Sequence, residues 1–348
     1  RSLMYGALLL TADRAPIYVP VGIDSDWSGM MADCYKSPEL FNTIFAGLKQ
    51  YLPRRDAGSI YFAADGVLHT LAIENMSGAE DYDFRRLSST RELALADGGA
   101  DAVCRMAVYG GIKYGVGKLA EYYRTPGDGK RESGAFLAYL PETEVEADDI
   151  HSLLAGRIKV DRLTAEKATE TSFKSLSGKR IDLLHVATHG FFEHPAVSSD
   201  ISQFTGRAMA SSGLFFAGAQ NTLWGEDTGM KEDGILTADE ISLLDFRGLR
   251  LAVLSACDTG RGLYDSDGVF GLQRGFKQAG TGSLMMSLWK VDDKATQLLM
   301  AEFYRRLLEG KSQYEALQAA RQTVRNSYPD PQYWAAFVLV DALNNIKI

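Results

Sequence analysis

With 348 residues, the chain has room for one large domain or two medium ones, and 46% apolar with 24% charged residues is the composition of an ordinary globular protein. The net charge is −8 and Lys and Arg are scattered, so no basic stripe presents itself to nucleic acid. The longest apolar runs, 5–10 and 337–340, are far shorter than a bilayer-spanning helix requires, so no membrane partner is expected either.

From the N-terminus, residues 5–11 and 16–22 read as strands around a short turn. Residues 39–51 carry Leu40, Ile44, Phe45 and Leu48, a helical stripe ended by Pro53. Residues 59–62 and 67–73 alternate around Ala64-Asp-Gly66, the signal for a hairpin. Ser88-Ser-Thr90 starts a helix, and 101–109 forms another strand, stopped by Gly110-Gly111. Residues 122–133 turn polar and mark a boundary between a first α/β unit, 1–130, and a second, 131–348.

The second unit has a cleaner β/α rhythm. A strand over 135–140 precedes a helix over 142–155 that starts with Pro141 and an acidic first turn. A short strand follows at 158–162, then a helix over 165–176 and a strand over 181–192. The Ser/Gly-rich stretch 193–234, holding Gly213-Leu-Phe-Phe-Ala-Gly218 as a small strand, is long enough to expect a functional or gating role. Thr237-Ala-Asp-Glu240 reads as a capping box. Helices over 269–279, 293–309 and 311–326 and strands over 282–288 and 334–340 complete the unit. Strands alternating with helices predict an α/β fold, a mainly parallel sheet covered on both faces.

Two of these strands share one design. Leu251-Ala-Val-Leu-Ser-Ala-Cys257-Asp-Thr-Gly260 runs from apolar residues into a small-residue turn. Ile181-Asp-Leu-Leu-His185-Val-Ala-Thr-His189-Gly190 ends on an imidazole and a glycine. Parallel sheets place their chemistry at the C-terminal strand ends. A thiol and an imidazole there suit a nucleophile and the group that shuttles its proton, and Gly190 lets a backbone N–H approach a developing oxyanion. The competing reading is a core cysteine and a structurally satisfied histidine. Two matched strand ends weigh against it.

These motifs resemble the CHAT domain family, which is caspase-like and related to separase. The resemblance is carried by His185-Val-Ala-Thr-His189-Gly190-Phe-Phe, Asp233-Gly-Ile-Leu-Thr-Ala-Asp-Glu240 and Leu254-Ser-Ala-Cys257-Asp-Thr-Gly260. It continues through Gly268-Val-Phe-Gly-Leu-Gln-Arg274, Ser287-Leu-Trp-Lys-Val-Asp-Asp293 and Tyr333-Trp-Ala-Ala-Phe337. It implies a caspase-like, mainly parallel sheet flanked by helices, with a degenerate caspase-like half over 1–130 and a catalytic half over 131–348. It also implies that His189 is the catalytic histidine, that Cys257 is the nucleophile, and that the N–H groups of Gly190 and Cys257 form the oxyanion hole. The implied activity is that of a cysteine endopeptidase that cleaves a protein partner without metal or organic cofactor. An upstream tetratricopeptide-repeat sensor region, an activator, and a place in bacterial defence belong to the same expectation.

Asp258, Trp289, Asp292 and Asp293 are the candidates to line the pocket for the residue preceding the scissile bond. Related Arg-specific peptidases often carry an acid two positions before the cysteine. Here that position is Ser255, so a preference for basic substrates does not follow. His185 lies four residues before His189, which on a strand is roughly 13 Å away, too far to share a metal ion. It reads as a packing or supporting residue, and His194 as a weak outsider. Asp265-Ser-Asp-Gly268 lacks the spaced oxygens of a calcium loop, and Gly115-Val-Gly-Lys118 and Gly127-Asp-Gly-Lys130 lack the frame of a phosphate loop.

Cys34, Cys104 and Cys257 are too few, and odd in number, for a disulfide scaffold, which points to a reducing cytoplasm. The chain opens at Arg1, the expected mark of a domain separated from a longer protein. Two other functions use the same residues. One is a catalytically silent caspase-like scaffold; the other is acyl hydrolysis or transfer on a non-peptide substrate.

Overall fold

The computed structural model describes residues 2–96, 102–117, 119, 136–192, 209–256 and 266–348. By its internal packing the chain divides into Arg1–Ala94 and Leu95–Ile348.

In the first unit, alternation of side chains produces an antiparallel ribbon of β1 (Met4–Leu9) and β2 (Ile17–Ile23). The helix Glu39–Phe45 buries Leu40, Phe41, Ile44 and Phe45, four residues on one helical face. They join Trp27, Tyr82 and Phe84 in an aromatic core. The expected hairpin does not form. β3 (Ser59–Ala63) pairs instead with β4 (Asp83–Leu87), and the two run parallel. Residues Gly66–Thr70 make a 3₁₀ turn, with Gly66 at φ +55 and its N–H held by the Asp65 carboxylate at 2.8 Å. Leu71 and Ile73 are then free to enter the core instead of pairing along a strand.

The second unit contributes β5 (Arg105–Ile112), β6 (Lys159–Ala165), β7 (Leu183–Thr188), β8 (Gly190–Phe192), β9 (Ser212–Phe215), β10 (Ile235–Thr237), β11 (Leu251–Ala256), β12 (Ser283–Ser287) and β13 (Phe337–Val340). Six of these line up as β6-β5-β7-β11-β12-β13. Every pairing along that row is parallel except β12 with β13. Strands β8, β9 and β10 form a small antiparallel sheet of their own. The helices Pro141–Leu154, Ser266–Gln278, Asp293–Leu308 and Gln313–Ser327 flank the larger sheet. This is the mainly parallel α/β architecture expected of a caspase-like chain. Strands β7 and β11 are buried along almost their whole length, which is why they read as continuous apolar runs.

Strand β5 belongs to this second unit, not to the first as expected, because both its edges are paired, with β6 and β7. It also runs through Gly110 and Gly111 instead of stopping there. A Cβ on Gly110 would sit 2.2 Å from the Thr143 carbonyl, so glycine lets the helix Pro141–Leu154 lie directly on the strand. The helix expected over 165–176 is confined to Glu170–Lys174, where Thr169 and Ser172 close a capping box. Residues 136–140 form no strand. The polar stretch 122–133 lies outside the described residues. Among the described residues, no helix is long and apolar enough to cross a membrane.

Candidate active site

The site is organised by the register of β7 against β11. The parallel ladder places Thr188 opposite Ala256 at the C-terminal edge of the sheet. The next residue of the first strand is His189, and the next of the second is Cys257. Cys257 and Asp258 lie outside the described residues, as does His194.

His189 is 6% exposed and is held from several directions. Its backbone N–H donates to the Tyr114 hydroxyl at 3.2 Å, and its carbonyl accepts from Phe215 N–H at 2.9 Å. Thr188 Oγ1 donates to the Phe215 carbonyl at 2.5 Å, so it must accept the Tyr114 proton across 3.0 Å. The direction of every proton in that chain is therefore set. Tyr114 also packs its ring against the imidazole, with centroids 5.0 Å apart. Burial pushes its phenol up to about 12, so it stays a neutral donor near pH 7.

The imidazole itself is oriented by main chain. Nε2 lies 2.7 Å from the carbonyl oxygen of Ala138. A carbonyl only accepts, so Nε2 carries the proton and the neutral ring keeps its lone pair on Nδ1. Ala138 was expected in a strand; its irregular backbone is what makes this carbonyl available. Gly190 follows at the start of β8, where a Cβ would meet the Ala256 Cβ at 3.7 Å and the Gly213 carbonyl at 3.5 Å. Gly190 thus sits beside the last described residue of β11.

Behind these strand ends lies a second buried network. Glu146, 2% exposed, places Oε1 2.7 Å from His185 Nε2 and accepts the Ser255 hydroxyl on Oε2 at 3.3 Å. His185 turns Nδ1 to the Tyr304 hydroxyl at 3.2 Å. Burial raises the Tyr304 phenol well above its ordinary value. His185 is thus a supporting residue, as its spacing from His189 required. Glu146 is a functional candidate that the sequence did not single out, since its partners lie 39 and 109 residues away.

A small pocket adjoins both networks, lined by Glu142, Glu146, Thr188, Ser255, Asp293 and Thr296 among others. The four residues expected to line a substrate pocket separate here. Asp293 lines it, with its carboxyl raised by partial burial and then by the charge of Glu142. Asp292 instead caps the helix Asp293–Leu308, accepting from Lys294 N–H and Ala295 N–H at 3.1 and 3.0 Å. Trp289 donates Nε1–H to the Gln332 carbonyl at 3.1 Å, outside the lining. Asp258 is not described.

Glu170, Glu232 and Glu240 bring three carboxylates together in a grouping that could hold a metal ion. Lys174 already fills it: Nζ lies 2.6, 2.9 and 2.9 Å from Glu170, Glu232 and Glu240. Glu240 also closes the capping box with Thr237, as expected from sequence.

The sequence profile of the CHAT domain matches residues 36–342. Tetratricopeptide repeat protein 28 of Mus musculus is 34% identical over 109 residues, covering 30% of this chain and 4% of that protein. Its Homo sapiens counterpart is 32% identical over 108 residues with the same coverages. The chain therefore spans a small fraction of these relatives' length. Among solved structures, the Saccharomyces cerevisiae separase–securin complex aligns with a TM-score of 0.46 and 14% identity, over 90% of this chain and 17% of that one. The Arg-specific cysteine proteinase gingipain R aligns with a TM-score of 0.43 and 8% identity, over 74% of this chain and 53% of that one.

Proposed function

This chain belongs to the CHAT domain family, and on that footing we propose that it is a cysteine endopeptidase acting through Cys257 and His189. The observation that carries the reading is the in-register pairing of Thr188 with Ala256, from which the chain steps directly to His189 on one strand and to Cys257 on the other.

In this mechanism the lone pair on His189 Nδ1 takes the thiol proton, and the thiolate attacks the carbonyl carbon of a peptide bond. The C–S bond forms as the carbonyl electron pair moves onto oxygen. The N–H groups of Gly190 and Cys257 receive that oxyanion. The imidazolium is stabilised through Nε2–H against the Ala138 carbonyl and returns the proton to the leaving amine as the C–N bond breaks. Water then adds to the acyl-enzyme, with His189 taking its proton, and the C–S bond breaks to release a carboxylate and the thiol. The chemistry asks for no metal and no organic cofactor.

The first unit is read as the degenerate caspase-like half. Its cysteine supports this: Cys34 is buried in the core, and burial pushes its thiol up to about 11, away from nucleophilic use. The substrate is a protein partner, in the reducing compartment that keeps Cys257 free. The relatives' tetratricopeptide-repeat name supports an upstream repeat region as the sensor. The stretch 193–234 is its candidate gate, since β9, in the described part of it, pairs with β8 directly after His189.

The test is cleavage of a diverse peptide mixture read by mass spectrometry, with Cys257→Ala in parallel. Cuts present in the parent and missing in the variant support the peptidase. If there are none, and Cys257 alkylates no faster than in His189→Ala, the chain is a catalytically silent scaffold.

A further inference from the structure

Two of the groups that hold His189, the Tyr114 hydroxyl and the Ala138 carbonyl, trace back to one residue. Gln220 is fully buried, in the short helix Ala219–Leu223. Its side-chain Oε1 accepts the Leu137 N–H at 2.7 Å, across 83 residues of sequence. A backbone N–H only donates, so the amide must present its oxygen there. Its own backbone N–H donates at 3.0 Å to the Tyr114 carbonyl, which also accepts the Gly218 N–H at 3.0 Å. The next residue, Asn221, grips the same stretch: Oδ1 accepts the Val116 N–H at 2.9 Å, and Nδ2 donates to the Val116 carbonyl at 3.3 Å.

The Leu137 bond is one that no ladder could supply. Residues 136–140 form no strand, so the buried Leu137 N–H needs an acceptor from elsewhere. The segment is pinned at both ends. The Leu140 carbonyl accepts the Thr143 N–H at 3.2 Å and the Thr143 hydroxyl at 2.7 Å, which ties it to the start of the helix Pro141–Leu154. At the other end Gln220 holds Leu137, and the Phe136 ring stacks on Trp224, the C-cap of the Gln220 helix, with centroids 6.4 Å apart. Ala138 lies between these two anchors, and its carbonyl faces His189 Nε2 at 2.7 Å.

A neutral imidazole carries its proton on the nitrogen that finds the better acceptor. The Ala138 carbonyl is that acceptor, and it stays in place only as long as the backbone beside it does. We propose that Gln220 is a positioning residue for His189: by holding Leu137 it sets the Ala138 carbonyl, and through it the tautomer that keeps the lone pair on Nδ1. The catalytic consequence rests on the peptidase reading above; the positioning itself involves only the surroundings of the His189 ring.

The test reads the ring directly. Long-range proton–nitrogen correlation spectra of the histidine side chains distinguish a protonated ring nitrogen from one bearing a lone pair. The His189 signals are those missing in His189→Ala. The parent is expected to show the Nε2–H form at a pH where the ring is neutral. Gln220→Leu keeps the shape of the side chain without its acceptor and should mix the two tautomers. Gln220→Glu keeps an oxygen at the same reach and should restore the parent spectrum. Alkylation of Cys257 by iodoacetamide should slow on the order of tenfold in Gln220→Leu. The same substitution made in His189→Ala should cause no further loss.

An Nδ1–H form in the parent overturns the proposal, and that spectrum stands whether or not any variant folds. An unchanged tautomer in Gln220→Leu overturns it too, as does a Gln220→Glu spectrum no nearer the parent than that of Gln220→Leu. Equal slowing of alkylation with and without His189 also overturns it, because the amide then acts on the fold and not on the ring. A tautomer that shifts in Gln220→Leu, while His189→Ala alkylates as fast as the parent, supports the positioning and overturns the peptidase reading.

Discussion

The Tyr114 hydroxyl accepts the backbone N–H of His189 at 3.2 Å and hands its own proton to Thr188, the residue before it. One phenol thereby fixes two successive residues at the strand end where the imidazole begins. Tyr114 stands next to a chain reversal with no motif around it, and nothing in its local sequence marks it as part of the site.

Replacing Tyr114 by Phe keeps the ring against the imidazole and removes the hydroxyl. The His189 N–H is then left buried without its acceptor, which costs about 1–3 kcal/mol. Thr188 keeps its own donation to the Phe215 carbonyl, so strand β9 stays attached. The urea midpoint should fall accordingly. Cys257 alkylation near pH 7 should slow on the order of tenfold through misplacement of the ring. A variant with the parent's alkylation rate would show that Tyr114 stabilises the strand end without orienting His189.

The three thiols should separate under timed alkylation of the native protein. Cys34 is fully buried, and its thiol is raised to about 11, with desolvation as the main cause. At pH 8 only about one in a thousand Cys34 side chains is a thiolate. Cys104 is exposed, with its thiol donating to the Ala102 carbonyl at 3.7 Å. Iodoacetamide at pH 8 followed by peptide mapping should modify Cys104 and leave Cys34 intact. If Cys257 is the activated nucleophile, it should react before either of them, and the order should change in His189→Ala.

How much of this was legible in the sequence depended on the range of the interaction. The Thr237–Glu240 capping box and the helix starts were readable because they close within three residues. Strands β7 and β11 were readable because burial on both faces forces an apolar run. The glycine pair in β5 misled, since it serves the helix packed on it and not a turn. The 67–73 segment misled because alternation alone does not say whether a strand finds a partner. Glu146 was invisible for a stronger reason: it meets Ser255 across 109 residues, and only the assembled sheet brings the two together. The Ala138 carbonyl that orients His189 is backbone, and has no side-chain signature at all.

The Asp293 carboxyl makes a pH-dependent prediction. Its folded-state value is raised above the ordinary 3.8, by burial first and by Glu142 next. A carboxyl raised on folding favours the folded state fully only below its unfolded value, and that advantage is lost as pH climbs through the folded one. At pH 7 the ionised Asp293 therefore weighs against the fold, while near pH 3.5 it is largely neutral. Relative to the parent, Asp293→Asn should gain stability as pH rises from about 3.5 to 7. Urea midpoints of both proteins across that range read it directly. A constant difference would mean that Asp293 ionises as it does in the unfolded chain.

Lys174 offers a test of what the Asp233–Glu240 motif is for. Its ammonium lies within 2.9 Å of Glu170, Glu232 and Glu240, and Glu170 also accepts the Gly234 N–H at 2.9 Å. The motif thus secures the approach to β10 and the helix Ala238–Ser242 through one cation. Burial raises the Glu170 carboxyl and the nearby Lys174 charge opposes that shift, so removing the lysine leaves only the Gly234 N–H to set against burial and the charges of Glu240 and Asp233. Lys174→Met should cost roughly 2–4 kcal/mol, less than a fully buried pair because the ammonium retains some water. Three carboxylates without their ammonium are also a hard-oxygen site for a divalent cation. Millimolar Ca²⁺ should therefore raise the melting temperature of Lys174→Met and leave that of the parent unchanged, as read by thermal scans with and without chelator. Equal responses in the two proteins would mean that the carboxylates separate once the lysine is gone. The motif would then hold the loop by its capping box and main-chain bonds alone.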